Sequence, residues 1–312
     1  MKLTVENEHV KMRLDKFLKE HLPALSRAHL QKLVKEGQIT VNDKQVAPHH
    51  FLKEGDAVEA MIEPVQELMV VPNPGVRFVV LHEEPDFLII NKPAGLVVHQ
   101  AEGHKAPDTL VNGLLARYPE IARVGDDTIR PGIMHRLDAD VSGVMVIART
   151  QDMFDALKRQ FKLHEIAKEY VAVVQGPVSP PSGMIEFAIA RKGAKMVARP
   201  KRPPLNLPLQ KGEKNWGKRA VTEYETITTG QQDSRTALRI QTRTGRTHQI
   251  RVHLNAKGWP IVGDKLYGSK ANKSSESSKA SRLMLHARLI AFKDLTGKRW
   301  EFIVEVPKEF NK

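Results

Sequence analysis

"PGIMHRLDADVSGVMVIART", residues 131–150, sets a charged turn directly against an apolar run. Val144, Met145, Val146, Ile147 and Ala148 are continuously apolar rather than alternating, the pattern of a strand buried on both faces. The chain thus delivers Asp138 and Asp140 to the edge of a core, next to His135 and Arg136. Two readings stand at this point. Either acid does chemistry there, or both shape a turn before Gly143.

Outward from this stretch the chain reads as one sheet-centred domain. Strand-like runs recur at "FVVLHE", "DFLIINKP", "EYVAVVQG", "AVTEYETI", "ALRIQTR" and "RWEFIVEV", with helical patterns at about 108–118 and 152–163. The stretches "ARPKRPPLNLPLQKGEKNWGK" and "GSKANKSSESSKAS" interrupt it as loops. Residues 63–76, "EPVQELMVVPNPGV", read as a Pro-rich connection, so the expected division is 1–62, a linker, and 77–312.

The first 62 residues form a small α/β module. Leu14, Phe17, Leu18, His21 and Leu22 share a helical face; Ser26 is placed to cap a second helix that Gly37 ends. "QITVNDKQV" alternates around an Asn-Asp turn, and "LKEGDAVEA" adds a strand. This order, with "MRLDKFL", "LSRAHLQKLVKEGQITVND" and "LKEGD", resembles the S4 RNA-binding domain. The resemblance implies that Arg27, Lys32 and Lys35 face RNA; the alternative is that they are solvated helix charges.

Composition narrows the partners. No apolar run reaches the roughly 20 residues that span a bilayer, and "MKLTVENEHVK" has no apolar signal segment, so a cytoplasmic location is expected. No cysteine is present, which removes disulfides, thiol nucleophiles and thiolate metal sites. The formal charge is +13, and a polyanion is the natural partner. Residues 191–219 hold ten Lys/Arg against one acid, whereas residues 1–62 are nearly balanced, so the excess marks a binding arm.

Metal and nucleotide motifs are missing. His248 and His253 are five apart, which on a helix separates them by about 140°. No Gly-x-x-x-x-Gly-Lys-Ser/Thr or Gly-x-Gly-x-x-Gly occurs. In "TRTGRTHQIRVHLNAKGWPIVGDKLYG", Thr247 is placed to cap a helix ending near Gly258, with Ile250 and Leu254 facing the core. Arg251 then lies near buried surface and needs a carboxylate, for structure or for function. Tyr170 opens a buried-looking strand, where a tyrosine also serves as core filler. Spacing alone leaves Asp138, Tyr170 and Arg251 as an acid, a phenol and a cation.

Five ordered motifs decide more. "NKPAGLVVHQ", "GIMHRLDADVSGVMVIART", "KEYVAVVQG", "TGRTHQIRVHL" and "PIVGDKLYG" resemble those of the RluA/RluD group of RNA pseudouridine synthases, and the S4-like module matches the RluC/RluD arrangement. The resemblance implies an α+β chain whose catalytic domain has a mixed, mainly antiparallel sheet, flanking helices and a central cleft. It implies conversion of uridine to pseudouridine without metal or cofactor, with Asp138 as the catalytic carboxylate, Arg251 as its partner and Tyr170 against the base. Arg136 would fill the space that the extruded uridine leaves, and Lys201, Arg202, Lys211 and Lys214 would meet phosphates.

The expected substrate is RNA: large-subunit ribosomal RNA first, transfer RNA second. No obligate protein partner is expected. The rival readings are an RNA-binding or ribosome-assembly factor on the same scaffold, and a metal-dependent nuclease using Asp138 and Asp140. After Asp138 the group commonly has Lys-Asp-Thr, whereas Ala139, Asp140 and Val141 follow here, so the chain differs at Ala139 and Val141, and also at Gln100, where proline is usual. Segment 193–217 is also longer and more basic, which bears on substrate choice.

Overall fold

Leu14, Phe17 and Leu18 are fully buried on one face of helix α1 (Leu14–His21), as their spacing predicts. The computed structural model describes residues 1–22, 27–60, 70–100, 106–126, 128–199, 216–229, 235–268 and 280–311. These fall into two units, Met1–Val70 with Asp126–Pro131, and Val71–Gly125 with Gly132–Lys312. The break at residues 70/71 lies inside the expected connection.

In the first unit, α1 and α2 (Arg27–Lys35) pack over strands β1 (Lys2–Thr4), β2 (Ile39–Val41) and β3 (Ala57–Ala60), ordered β1-β3-β2 and antiparallel. Asp15 is buried because three donors reach it: Arg13 through Nε and Nη2, and Gln31 at 2.6 Å from the second helix. Gly37 ends α2 at φ +75°, with Gln38 N–H donating back to the Leu33 carbonyl. Asn42 and Asp43 both take positive φ, the turn that Asn and Asp tolerate best after glycine. Beyond it the second arm is one bridge, Val41 to Lys44, and β2 pairs chiefly with β3. Ser26 lies outside the described residues.

The second unit is a sheet with helices against it. Its strands are β4 (Val79–Glu83), β5 (Phe87–Lys92), β6 (Ser142–Ala148), β7 (Ala167–Gln175) and β8 (Ser182–Ile185). After β9 (Ala188–Lys192), β10 (Lys195–Arg199) and β11 (Lys218–Arg219) come β12 (Thr222–Thr229), β13 (Arg235–Thr242), β14 (Leu285–Lys293) and β15 (Arg299–Ile303). The main sheet runs β4-β5-β6-β14-β7-β13-β12-β8, with β15 added to β14. Among the described residues its one parallel pairing is β6 with β14. A second, small antiparallel sheet, β10-β9-β11, carries the described part of the basic segment. The helices are α3 (Leu110–Arg117), α4 (Gln151–Leu163) and α5 (Gln249–Ala256). Gln160 of α4 clamps the Lys293 backbone of β14 through both its donor and its acceptor.

β6 is buried along its whole length, as its unbroken apolar run requires. The register then brings the site together. Gly143, one residue into β6, and Tyr170 on β7 both lie opposite Ala287 of β14, so they occupy one row across three strands. A side chain at position 143 is impossible there: its Cβ would sit 2.1 Å from the Ala287 carbonyl oxygen, and φ is +125°.

Gly143→Ala should therefore part β6 from β14 and lower unfolding stability by about 3 kcal/mol, readable in a urea titration. A loss below about 0.5 kcal/mol would mean that this close approach is not needed.

Candidate active site

Asp138 ends the loop that feeds β6. Its own carbonyl accepts from Val141 N–H at 3.1 Å, making Ala139 and Asp140 the central residues of a tight turn. The two acids thus separate: Asp140 is exposed in the turn, and Asp138 lines a cavity of about 540 Å³. The turn is pinned from behind by Lys92. This lysine is fully buried, and its Nζ donates to the carbonyls of Pro93, Leu96 and Ala139 at 2.9, 2.7 and 2.9 Å. All three ammonium protons are used, which is what makes the burial tolerable. Desolvation still pushes Lys92 down to about 7, against the attraction of Asp138 and Asp140.

Arg251 comes from the other side, on α5. Its neighbours Ile250 and Leu254 are buried, and Arg251 itself is 5% exposed. One edge of the guanidinium forms a fork with Asp264, Nε and Nη2 each 2.8 Å from a carboxylate oxygen. The remaining arm, Nη1, donates to Asp138 Oδ2 at 3.1 Å. Asp264 is fixed in turn by N–H groups of Leu266 and Tyr267 at 2.9 and 3.0 Å. Burial opposes charge on both partners. The fork outweighs it, raising Arg251 above its ordinary value and lowering Asp264 below 3.8.

The capping of α5 differs from the expectation. His248, not Thr247, is the N-cap, in the left-handed conformation at φ 55°. Gln249 makes this possible, since its Oε1 accepts from the Thr244 hydroxyl and Arg246 N–H and closes the preceding turn. His248 then faces the site. Tyr267 Oη accepts from Met196 N–H at 3.1 Å and lies 2.7 Å from His248 Nδ1, with which it shares a hydrogen bond. The other ring nitrogen, Nε2, lies 3.9 Å from Asp138 Oδ2. Burial lowers the pKa of His248, and Asp138 opposes that shift.

Tyr170 reaches the same cavity from β7. Burial first, then the charge of Asp138, pushes its phenol up to about 12, against a hydrogen bond with Thr242. It enters any chemistry at neutral pH as a neutral phenol. Arg136 is exposed on the cavity wall, with Nη1 3.4 Å from His99 Nε2. His135 accepts from Val146 N–H, stacks on Phe161 with ring centroids 4.9 Å apart, and is held neutral by burial, at about 3.

Asp138, Tyr170, Arg251 and Arg136 are thus brought to one cavity. Lys35 is exposed at the end of α2, and Arg27 and Lys32 are on that helix with side chains outside the described residues. Lys201, Arg202, Lys211 and Lys214 also lie outside the described residues. Sequence reasoning missed Asp264, Lys92, His248 and Tyr267. The first and last stand in "PIVGDKLYG", whose Gly263 at φ +76° was the available signal of a constrained turn. His253, by contrast, is a core residue bonded to Thr222 and the Phe187 carbonyl.

Residues 86–256 match the family described as RNA pseudouridylate synthase, and residues 12–58 match the S4 domain. An uncharacterized RNA pseudouridine synthase of Aquifex aeolicus is 36% identical over 96% of this chain and 91% of its own length. Ribosomal large subunit pseudouridine synthase D of Neisseria meningitidis is 35% identical over 98% of this chain and 79% of its own. Human RNA Pseudouridylate Synthase Domain Containing 4 superposes with a TM-score of 0.57 at 25% identity, covering 75% of this chain and 90% of its own. The matches and the mixed sheet define an RNA-modifying isomerase preceded by an S4 domain. Within that class, the chain belongs to the RNA pseudouridylate synthase family.

Asp264→Asn should lower stability by about 3 kcal/mol at neutral pH, because it leaves Arg251 buried beside one carboxylate only. The depressed carboxyl of Asp264 contributes stability above its ordinary value of 3.8, which is lost as pH falls through the lower folded value. The gap between wild type and variant should therefore close in acid, as followed by urea unfolding from pH 7 to pH 3. A gap that widens in acid would refute this account.

Proposed function

We propose that this enzyme isomerises uridines of large-subunit ribosomal RNA, with Asp138 as the catalytic carboxylate. The observation that carries the assignment is the Nη1–Oδ2 contact between Arg251 and Asp138: it aims one carboxylate into the cavity and leaves its second oxygen unused by Arg251. The ribosomal substrate is supported by the name of the Neisseria relative and by the S4 match. Residues 1–62 serve as the RNA-binding module and 77–312 as the catalytic domain.

The chemistry follows from the bonds exchanged. The target nucleotide leaves its stack, since C1′ and the far edge of the base cannot otherwise enter one pocket, and Arg136 takes the vacated space. The C1′–N1 bond breaks and its electron pair stays on the uracil. Asp138 either bonds C1′ through a carboxylate oxygen or takes the C2′ proton to leave a glycal. The base turns so that C5 faces C1′, and the C5–C1′ bond forms as the ester or glycal is undone. Loss of the C5 proton and protonation of N1 complete an isomerisation in which no atom is gained or lost. Tyr170 packs against the base; as a neutral phenol it passes a proton on only when a second group accepts its own. Arg251 holds Asp138 through every step, since a guanidinium does not deprotonate.

The test is to delete the gene and map pseudouridine across ribosomal and transfer RNA by chemical labelling, then restore wild type or Asp138→Asn. Particular large-subunit sites should vanish and return only with the carboxylate, the variant converting at least about 10⁴-fold more slowly. Full restoration by the Asn protein would sink the assignment of Asp138. Sites lost only from transfer RNA would move the substrate.

A further inference from the structure

Lys92 is fully buried and Lys168 half-buried, and the two are treated oppositely. Lys92 spends all three protons on backbone carbonyls. Lys168 on β7 lines the Asp138 cavity, yet among the described residues no carboxylate, carbonyl or hydroxyl holds its Nζ. Its ammonium lies 5.7 Å from the Phe161 ring centroid, and a Cβ built on Gly245 would come within 3.9 Å of it. Burial alone lowers its pKa, with no carboxylate opposing the shift. The facing groups supply no anion: His135 is neutral, Tyr170 is a phenol, and Lys162 and His164 at the rim carry no negative charge. Asp138 is the one acid lining the cavity among the described residues. A desolvated cation without an acceptor in its own protein has its acceptor in a ligand.

Its place on the strand says which part of the ligand. Lys168 and Tyr170 are two apart and project from the same face of β7, roughly 6.6 Å apart along the strand. Tyr170 faces Asp138, where the proposed chemistry puts C1′. A uracil ring running from C1′ then carries its carbonyl edge toward Lys168. Exposed Lys162 and Arg246 stand farther out, where a phosphate backbone remains in solvent.

We propose that Lys168 is a further catalytic residue, a cation that receives a carbonyl oxygen of the detached uracil. The inference rests on the proposed role of Asp138. When the C1′–N1 bond breaks, the electron pair left on N1 delocalises onto O2 and O4. An ammonium donating to one of these oxygens stabilises charge that develops only in that step. The rotation that brings C5 to C1′ runs about the C6–N3 axis and exchanges O2 with O4. One cation therefore meets a carbonyl oxygen before the turn and after it. A point charge on a flexible stem tolerates the intermediate orientations better than a planar fork does.

The test compares full-length wild type with Lys168→Met and Lys168→Gln on a large-subunit RNA transcript. Single-turnover conversion at saturating RNA is followed by chemical labelling, and RNA affinity is measured across a salt series. Both variants should convert about 100-fold more slowly, with affinity and salt slope unchanged. Lys168→Arg should recover at least a tenth of the wild-type rate. Rates within threefold of wild type overturn the inference. A salt slope reduced by about one also overturns it, since Lys168 would then be a phosphate contact. Two variants guard against one that fails to fold, which thermal unfolding reports. If wild type forms no pseudouridine, the reading of the whole enzyme has failed; if wild type converts, Asp138→Asn does not and Lys168→Met does, only this inference has.

Discussion

One guanidinium organises the catalytic unit. Arg251 is buried on α5 and shared between Asp264, thirteen residues on, and Asp138, one hundred and thirteen residues back. The sharing is unequal, and the inequality matters. Asp264 takes the two-bond fork and is itself fixed by backbone N–H groups, so it behaves as part of the scaffold. Asp138 receives a single bond from Arg251, enough to orient it while leaving its second oxygen unused by that guanidinium. Since arginine cannot shed its proton, its buried charge always needs a carboxylate partner, and the Asp264 fork supplies the permanent one.

The second constraint acts on the backbone. Lys92 and Gly95 both donate to the Ala139 carbonyl, and Asp138 closes its own turn onto Val141. The side chain of Asp138 is thus aimed by one cation while its main chain is pinned by another. These forces would be wasted on a mobile support. β6 supplies a rigid one, being buried on both faces and joined to β14 across a gap that admits only glycine at position 143. Two histidines of the cavity are lowered by burial. His135 is far below its ordinary value, at about 3, and His248 is lowered against the opposing charge of Asp138.

What pattern could read here is what local physics decides. β6 was legible from five consecutive apolar residues, α1 from its spaced leucines, and the helix of Arg251 from Ile250 and Leu254. The trio of Asp138, Tyr170 and Arg251 needed the ordered motifs, because an aspartate in a turn and a tyrosine on a strand have common structural uses. β14 escaped the reading altogether, although it lies at the centre of the sheet. Its sequence, "LHARLIAFK", sets His286 and Arg288 among apolar residues and matches neither period well. The partners that these polar residues do find are distant: Ser142 at His286 Nδ1 and Glu169 for Arg288. A strand whose polar groups are neutralised from across the fold carries no local sign of being buried.

The same reasoning separates Lys92 from Lys168, which the sequence presents as two lysines near apolar runs. Local pattern cannot say whether an ammonium withdrawn from water will find carbonyls, because the acceptors of Lys92 include Ala139, forty-seven residues away. Only the assembled fold distinguishes a cation that has spent its hydrogen bonds from one that has kept them. The first is structural by construction, and removing it would loosen the turn before Asp138 was ever tested. The second is half-buried, and among the described residues no acceptor holds it. Among the described residues the cavity's one acid is already tied to Arg251, and the negative charge that the proposed reaction creates is the partner left for Lys168.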